Sequence, residues 1–375
     1  MKSLIQNLIR KLEKNQDEQK AKKIFIGFDG YIDKIQRAVK AQHPERTAFY
    51  KTLTDFSAKI AAASGKSGQV EITTQETKLG GNAPILAHAA DCLGLDVTCM
   101  GTLGDPEIHP LFKAIGKHSQ LISVGKPAET NALEFHDGKL ILSEISTFKE
   151  LDWEHLKKKA GLEKLIRIFN ESELLALVDW CNLFHCTAIW QGIFEEVLPH
   201  LEKRPKTYFF DLADPSKKTI NEIGEALRLI GQYKSFGKVI LGMNENETDL
   251  IYKALSEYLG VTADPNANLE EQGKYIFEKL NLDQLLIHPI KSALSIDSNG
   301  NISLKGRLVA APKISTGGGD NLNAGFCFGI LQGFNTEETL ILGMATSGAY
   351  VQNGKSPSIK DLINYLRVWE KEVVL

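Results

Sequence analysis

Short apolar runs alternate along the chain with segments of helical periodicity. Six runs predict buried strands: 23–30 (KIFIGFDG), 97–105 (VTCMGTLGD), 183–190 (LFHCTAIW), 207–214 (TYFFDLAD), 238–247 (KVILGMNENE) and 284–297 (QLLIHPIKSALSID), the last as a strand and a hairpin. Amphipathic segments follow several of these runs. Strands that alternate with helices predict an α/β fold, in which a central, mostly parallel sheet is covered by helices on both faces.

Two stretches interrupt this alternation. Residues 36–78 are polar and weakly patterned, whereas residues 128–150 alternate apolar and polar positions around Asp137 and Gly138. An Asp-Gly dipeptide between alternating runs favours a hairpin. We expect these stretches to form a small β element that projects from the sheet and serves as a lid. The chain, 1–375, is then one α/β domain with this lid.

The amino terminus has a helical pattern of its own. Its apolar residues recur at helical spacing: Leu4, Ile5, Leu8, Ile9 and Leu12. We therefore predict an extra amphipathic helix within residues 1–22. A helix docked on the protein body explains this pattern better than attachment to a membrane, because the polar face mixes both signs of charge.

Composition narrows the expected partners and location. Of the 375 residues 43% are hydrophobic, and the net charge is -3. Because no broad basic field exists, we expect no nucleic-acid partner. We also expect no membrane partner, since no segment approaches the roughly 18 apolar residues that a span requires. The five cysteines form no CxxC pair, and reduced thiols in a cytoplasmic protein are the simplest account.

Ligands of such sheets bind beyond the carboxyl ends of the strands. In this chain the predicted strand ends are polar and acidic: Asp29, Asp33, Gly104, Asp105, Asp211, Asp214, Asn244 and Glu247. We therefore expect the functional site at that edge of the sheet.

The sharpest local feature is the sequence TGGGD at residues 316–320, which opens an apolar helix. Without Cβ atoms, Gly317, Gly318 and Gly319 let successive backbone N–H groups turn toward one point. The helix N-terminus adds partial positive charge there. The arrangement suits phosphate, and Asp320 would be ready to accept a proton. The alternative is a glycine-rich turn in which Asp320 only caps the helix.

A second group of residues suits a polyol. Gly80 and Gly81 let the backbone come close to a ligand, and the amide of Asn82 can both donate and accept hydrogen bonds. Asp29 and Asp33 could hold sugar hydroxyls through charge-assisted bonds. The alternative is structural: a tight loop, with Asn82 and either acid capping a helix.

A third feature suits a hydrated cation. Asn244 and Glu247 are three positions apart and share one face of a helical turn. An amide and a carboxylate there could orient a hydrated Mg²⁺ and its phosphates. A capping-box arrangement of the same two residues is the alternative.

Taken in order, these segments resemble the ribokinase-like, or PfkB, family of carbohydrate kinases from residue 23 to about 360. The most specific likeness is TGGGDNLNAGF, which is similar to the Gly-Ala-Gly-Asp helix start of that family. The resemblance implies a ribokinase-like fold with a β lid. It also implies a kinase that moves the γ-phosphoryl group of ATP, its co-substrate, to a hydroxyl of a sugar-like substrate, with Mg²⁺ as cofactor.

The resemblance also implies individual roles, with Asp320 as the catalytic base. Three glycines would form an anion hole: Gly317, Gly318 and Gly319. Asn244 and Glu247 would organise Mg²⁺ and phosphate, with Glu247 reaching the metal through water. The sugar would be bound by Asp29, Asp33, Gly80, Gly81 and Asn82, and the nucleotide by Thr316, Asn353 and Gly354. Because exposed strands tend to pair, a homodimer through the lid is also expected.

Some positions depart from the family pattern: Ile85, His288, Pro289, Ile314 and Cys327. They affect the substrate and nucleotide contacts more than the reaction. GGNA, GFDGYID and NALEF are also similar to the ADP-dependent sugar kinases, in which Glu134 would be the lid carboxylate that reaches the sugar. ATP is the favoured donor. The alternatives are an ADP-dependent sugar kinase, a nucleoside kinase and a catalytically silent sensor of sugar or nucleotide.

Overall fold

The structure of the protein is a computed structural model. It describes residues 1–15, 21–116, 119–202, 205–314 and 316–373. Across these residues, no helix is both long enough and apolar enough to cross a membrane.

A large sheet forms the centre of the molecule. In the described part of the chain its nine strands, numbered along the sequence, are β1 (Lys23–Phe28), β5 (Asp96–Gly101), β6 (Gln120–Ser123), β9 (Leu174–Leu177), β10 (Lys206–Asp211), β11 (Gly237–Met243), β12 (Gln284–Ile287), β13 (Ser292–Asp297) and β14 (Gly300–Lys305). Their order across the sheet is β14-β13-β12-β11-β10-β9-β1-β5-β6. Along this order, all neighbouring strands from β12 to β6 pair in parallel. Strands β13 and β14 extend the sheet at the β12 edge with antiparallel pairing.

A second, smaller sheet stands beside the large one. Its strands are β2 (Tyr31–His43), β3 (Arg46–Phe49), β4 (Ile72–Gly80), β7 (Ala128–Phe135) and β8 (Gly138–Glu144). The long strand β2 pairs with β3 and β4 in antiparallel fashion and with β7 in parallel fashion. The β7–β8 hairpin turns at His136 and Asp137, between the paired residues Phe135 and Gly138, which confirms the hairpin predicted around Asp137. We refer to these five strands as the small sheet.

Helices cover both faces of the large sheet. They are α1 (Lys2–Asn15), α3 (Asn82–Cys92), α4 (Trp153–Ala160), α5 (Leu162–Glu171), α6 (Cys186–Gly192), α7 (Ile220–Gln232), α8 (Glu245–Tyr258), α9 (Leu269–Leu280), α10 (Gly318–Leu331), α11 (Thr336–Asn353) and α12 (Ile359–Glu372). A further helix, α2 (Leu53–Ala61), packs on the small sheet, where Phe56 joins Ala38 and Leu133. One core packs under α4 to α9, and the other under α1, α3, α10, α11 and α12. Within β1, Phe25 enters the first core while Ile24 and Ile26 enter the second. Both faces of each strand are thus buried, which is why the runs are continuously apolar and why the predicted α/β class is confirmed.

One predicted strand is wrong. Residues 183–190 contain no strand, and Cys186 begins helix α6. Cys186, Ile189 and Trp190 are spaced as on one helix face, and all three are buried in the core. The strand of this region is the shorter run β9, which precedes it.

The amino-terminal helix occupies part of the span 1–22 in which it was expected. Helix α1 ends at Asn15, residues 16–20 lie outside the described residues, and residues 21–22 are not helical. Leu8 and Leu12 are buried in the second core. Lys11 also donates to the buried Glu338 of α11 at 2.7 Å, so α1 is joined to the body by both apolar and ionic contacts.

Candidate active site

Acidic side chains gather at the carboxyl edge of the large sheet. Asp29 follows β1, Asp179 follows β9 and Asp211 ends β10, and all three are buried. Asp320, at the start of α10, lies close enough to raise the pKa of Asp179 together with Asp29 and Asp211. Because each carboxylate is desolvated among others of the same charge, the pKa of each is raised above its ordinary value.

Residues 316–319, which we call the glycine loop, form the N-terminal end of α10. Gly317 stands at the N-cap with φ of 86°, and within the described chain no side chain caps this helix. The first backbone N–H groups of a helix have no partner inside it, so this end presents donors to a ligand. Only glycine fits position 317, because a Cβ there would lie 2.9 Å from the Tyr350 hydroxyl in a left-handed conformation. That hydroxyl donates to the carbonyl oxygen of Thr316 at 2.9 Å and fixes the loop.

Asp320 lies in the first turn of α10 and is half-buried. Desolvation, followed by repulsion from Asp211 and then Asp29, raises its pKa well above the ordinary value. A carboxylate with a raised pKa is a stronger base near neutral pH. Asp320 therefore combines partial exposure with a greater tendency to take up a proton.

Helix α3 packs beside the glycine loop, since a Cβ at Gly317 would lie 3.3 Å from Ile85 of that helix. We refer to the region between the loop, the start of α3 and Asp33 as the cleft. Asp29 Oδ1 accepts the backbone N–H of Ala83 at 2.8 Å, which makes Asp29 a cap of α3. Its other oxygen has no hydrogen-bond partner among the described residues. Gly81 is the N-cap residue of α3, and Asn82 is its first, half-buried residue. The structure thus brings Gly81 and Asn82 to the cleft but keeps Asp29 fully buried behind them.

Asp33 projects from β2 where the small sheet meets the cleft. It is opposite Lys78 in β4 and Thr130 in β7, and it is 7% exposed. Desolvation raises the pKa of Asp33, and Lys78 counteracts that rise. A Cβ at Gly80 would collide with the Asp33 carboxylate, so glycine is required for the two to pack.

Two observations link Asp33 with the glycine loop. Desolvation raises the pKa of Tyr350, and the charges of Asp320 and Asp33 add to that rise. Lys139, on β8, feels the charge of Asp33 and donates a hydrogen bond to Thr316 Oγ1. Glu134, on β7, is the register partner of Lys139 and is exposed.

Asn244 and Glu247 form a capping box at the start of α8. Asn244 Oδ1 accepts the N–H of Glu247, and Glu247 Oε2 accepts the N–H of Asn244, both at 2.9 Å. Desolvation, then Asp211, then Asp214, raise the pKa of Glu247 to about 8. These carboxylate oxygens are the ligand type that Mg²⁺ prefers, and a cation would relieve their repulsion. The cap uses Oε2 of Glu247. Over the described residues no three acidic, histidine or cysteine side chains are grouped so as to hold a metal ion, so a cation here would take much of its coordination from water and phosphate oxygens.

A cavity of about 390 Å³ opens beside the glycine loop. Its lining includes Asn244, His288, Gly318, Gly319 and Val351. Burial lowers the pKa of His288 to about 4, so its imidazole is neutral. The cavity is large enough for part of a nucleotide, and Asp33 is not among its lining residues.

The three residues predicted to bind nucleotide lie at different distances from this cavity. Thr316 is part of the glycine loop and is half-buried. Asn353 and Gly354 end α11 a short way beyond Val351, and both are exposed. The structure therefore places Thr316 next to Gly317 and the other two at the exposed end of α11, and none of the three lines the cavity.

Sequence reasoning missed four residues of this cluster. Asp179 follows the apolar run LLALV, and that run would have identified it had the strand been assigned there. Asn323, within the predicted helix, donates to Asp211 Oδ2 at 2.7 Å. Lys139 and Tyr350 carried no local signal, because they reach the glycine loop only through tertiary contacts.

Comparison with known proteins gives a consistent picture. The family model for prokaryotic ketohexokinase matches residues 6–369. A curated ketohexokinase of Haloferax volcanii is 27% identical over 343 residues, which is 91% of this chain and 89% of that protein.

Solved structures are similar in fold at lower identity. Ribokinase from Thermotoga maritima aligns with a TM-score of 0.59 at 16% identity, over 92% of this chain and 99% of its own. Arabidopsis thaliana ribokinase, complexed with ribose and ATP, aligns with a TM-score of 0.63 at 16% identity, over 93% and 99%. Escherichia coli phosphofructokinase-2 aligns with a TM-score of 0.63 at 13% identity, again over 93% and 99%. The ribokinase-like fold predicted from the sequence is confirmed.

Proposed function

Because the chain belongs to the prokaryotic ketohexokinase family, and is thereby a carbohydrate kinase of the ribokinase type, we propose that it transfers the γ-phosphoryl group of ATP to a hydroxyl group of a ketohexose. The observation that carries this proposal is the glycine loop, which opens the helix that has Asp320 in its first turn and no side-chain cap. Donor and acceptor would then meet at this loop.

Asp320 is the proposed base. The acceptor hydroxyl oxygen forms a bond to the γ-phosphorus while the bond from that phosphorus to the β,γ-bridging oxygen breaks. The hydroxyl proton passes to the Asp320 carboxylate, and the electron pair of the broken bond leaves with ADP. The raised pKa of Asp320 supports this role, because it strengthens the carboxylate as a proton acceptor.

The glycine loop supplies the proposed anion hole. The N–H groups of Gly317, Gly318 and Gly319 would hold phosphoryl oxygens as charge develops on them. Glu247 and Asp211 would hold Mg²⁺, in part through water. When bound, Mg²⁺ neutralises charge on the phosphates of the nucleotide.

The acceptor sugar would occupy the space between Asp33 and the start of α3. Asp33 would accept hydrogen bonds from sugar hydroxyls, and Asn82 could both donate and accept. The buried Asp29 would act indirectly, since it holds the start of α3 in place. We infer that the small sheet acts as a lid, which excludes water from the phosphoryl group when it closes.

A homodimer through the small sheet stays a prediction. Three apolar side chains of that sheet, Ile72, Ile141 and Leu142, are about half exposed. Pairing of two copies would cover such surface. Sedimentation velocity would show a species of twice the chain mass of 41.5 kDa if the dimer forms, and of the single chain mass if it does not.

The substrate proposal is tested by a panel of ketohexoses, aldohexoses, pentoses and nucleosides, each offered with ATP and with ADP. Product formation is followed by release of the spent nucleotide and by the mass of the phosphorylated acceptor. We expect a ketohexose with ATP to give kcat/KM about tenfold or more above any other pair. Preferential use of ADP would refute the donor assignment. Binding of sugar or ATP without any turnover would identify a silent sensor and contradict the proposal.

A further inference from the structure

Lys139 connects the small sheet to the glycine loop. Its Nζ donates a hydrogen bond to Thr316 Oγ1, and Thr316 directly precedes Gly317. Tyr350 fixes the same loop by its hydrogen bond to the Thr316 carbonyl oxygen. The ammonium group of Lys139 therefore lies at the entrance to the proposed anion hole, although its backbone belongs to β8.

The charges around Lys139 come from neighbouring strands of the small sheet. Glu134 lies opposite it in the β7–β8 register, and Asp33 of β2 and Lys78 of β4 act on it electrostatically. Over the residues that the structure describes, no carboxylate oxygen comes within 4.0 Å of Nζ. Desolvation and the charge of Lys78 lower the pKa of Lys139, while Glu134 and Asp33 counteract that effect.

A half-buried ammonium group that is bonded to a hydroxyl has the capacity to bind an anion. Lys139 contacts Thr316, the residue before the glycines that are proposed to bind the phosphoryl group. It also lies within electrostatic range of Asp33, where the sugar is proposed to bind. The negative oxygens of the phosphoryl group would provide the charge partner that Lys139 lacks at close range.

We propose that Lys139 is a further catalytic residue, which contacts the transferring phosphoryl group. This inference rests on the proposed kinase function. While the new oxygen–phosphorus bond forms and the bond to the bridging oxygen breaks, Lys139 stays protonated and donates hydrogen bonds to an oxygen of the phosphoryl group. Since Lys139 belongs to the small sheet, the site is complete only when that sheet lies against the loop, so closure and transfer are coupled.

The test compares Lys139→Gln with Lys139→Arg. Both side chains can donate a hydrogen bond to Thr316, but only arginine keeps the positive charge. We expect kcat with ATP and a ketohexose to fall by about 100-fold in Lys139→Gln and by much less in Lys139→Arg. KM for the sugar and Kd for ATP should change by less than about threefold in both, because the lost contact is made in the transition state.

Lys34→Met is the matched control. Lys34 is on β2, next to Asp33, but successive strand residues point to opposite faces, and Lys34 pairs with Glu129 at 2.6 Å. This variant should keep kcat within about twofold of the parent protein, since a salt bridge of this kind contributes little. Circular dichroism of each variant verifies that the fold is kept.

A second readout is chemical rescue. Ethylammonium added to Lys139→Ala should restore part of kcat, while it should have no effect on Asp320→Asn. Equal kcat in Lys139→Gln and Lys139→Arg, or a loss confined to the sugar KM, would overturn the inference and leave the kinase function standing. A parent protein without sugar-dependent ADP formation would overturn both.

Discussion

Gly80 shows how one missing side chain shapes the site. A methyl group at this position would occupy the space of the Asp33 carboxylate. Asp33 has little room to move, because it is 7% exposed and lies between Lys78 and Thr130 in the small sheet. The glycine therefore fixes both the backbone before α3 and the direction of the acid.

We predict that Gly80→Ala impairs sugar binding more than nucleotide binding. The displaced Asp33 should raise the sugar KM by about tenfold or more, which corresponds to the loss of one or two charge-assisted hydrogen bonds. Steady-state kinetics and ATP titration calorimetry measure the two effects. Gly125→Ala is the control, because its Cβ would meet only a methyl group of Thr102, at 3.3 Å. An unchanged sugar KM in Gly80→Ala would contradict the role of Asp33.

At the residue scale, the sequence could locate side chains that follow a local motif. TGGGD predicts a helix start with Asp320 in its first turn, and α10 begins at Gly318. The sequence could not locate Lys139, because nothing near it in the chain indicates that β8 folds back onto the glycine loop. It also could not show that Asp29 turns inward to cap α3, since either a cap or a ligand contact satisfies a carboxylate.

Helices and strands could be predicted from the sequence where the spacing of apolar residues fitted only one of the two. The strand that became β10 has both faces buried and no competing helical period. Residues 183–190 are apolar too, but Cys186, Ile189 and Trp190 have helical spacing, and a short apolar run alone does not distinguish the two. The small sheet could be predicted only in part, because residues 36–78 contain helix α2 as well as strands.

Helix α1 provides a prediction at the scale of elements. The buried carboxylate of Glu338 accepts hydrogen bonds from Lys11 at 2.7 and 2.8 Å. Lys11→Met should lower the free energy of unfolding by about 1 kcal/mol, because it leaves that carboxylate without its cation, while the exposure of Lys11 limits the effect. Urea denaturation measures the change, and Lys14→Met, on the exposed side of the same helix, should have almost none. Equal effects of both would mean that α1 is not fixed through Lys11.

The acidic cluster affects the stability of the whole molecule. The pKa values of Asp29 and Glu247 are raised to about 7 and about 8, mainly by desolvation. At pH values between the ordinary and the raised pKa values of these two groups, the folded state holds more protons than the unfolded state. The free energy of unfolding therefore falls as pH rises. The buried carboxylates of the site thus repel one another, and their repulsion grows as they ionise near neutral pH. A site that lowers stability in this way is consistent with a trade-off between activity and stability.

We predict that the melting temperature without divalent cations falls between pH 6 and pH 8.5 and that Mg²⁺ reduces this fall. The cation should bind the ionised carboxylates of the folded state and offset their repulsion. Differential scanning calorimetry with and without Mg²⁺ measures both effects, and Glu247→Gln should weaken the response to Mg²⁺. A melting temperature that rises over this range would contradict the assigned protonation, and one insensitive to Mg²⁺ would contradict the metal site.

The most direct measurement concerns Asp320, on which the proposed transfer depends. Asp320→Asn keeps the shape of the side chain but cannot take up the hydroxyl proton. We predict that kcat for a ketohexose with ATP falls by about 10³-fold, while Kd for ATP stays within about threefold of the parent value, because the glycine loop remains intact. Turnover within about tenfold of the parent would contradict the account.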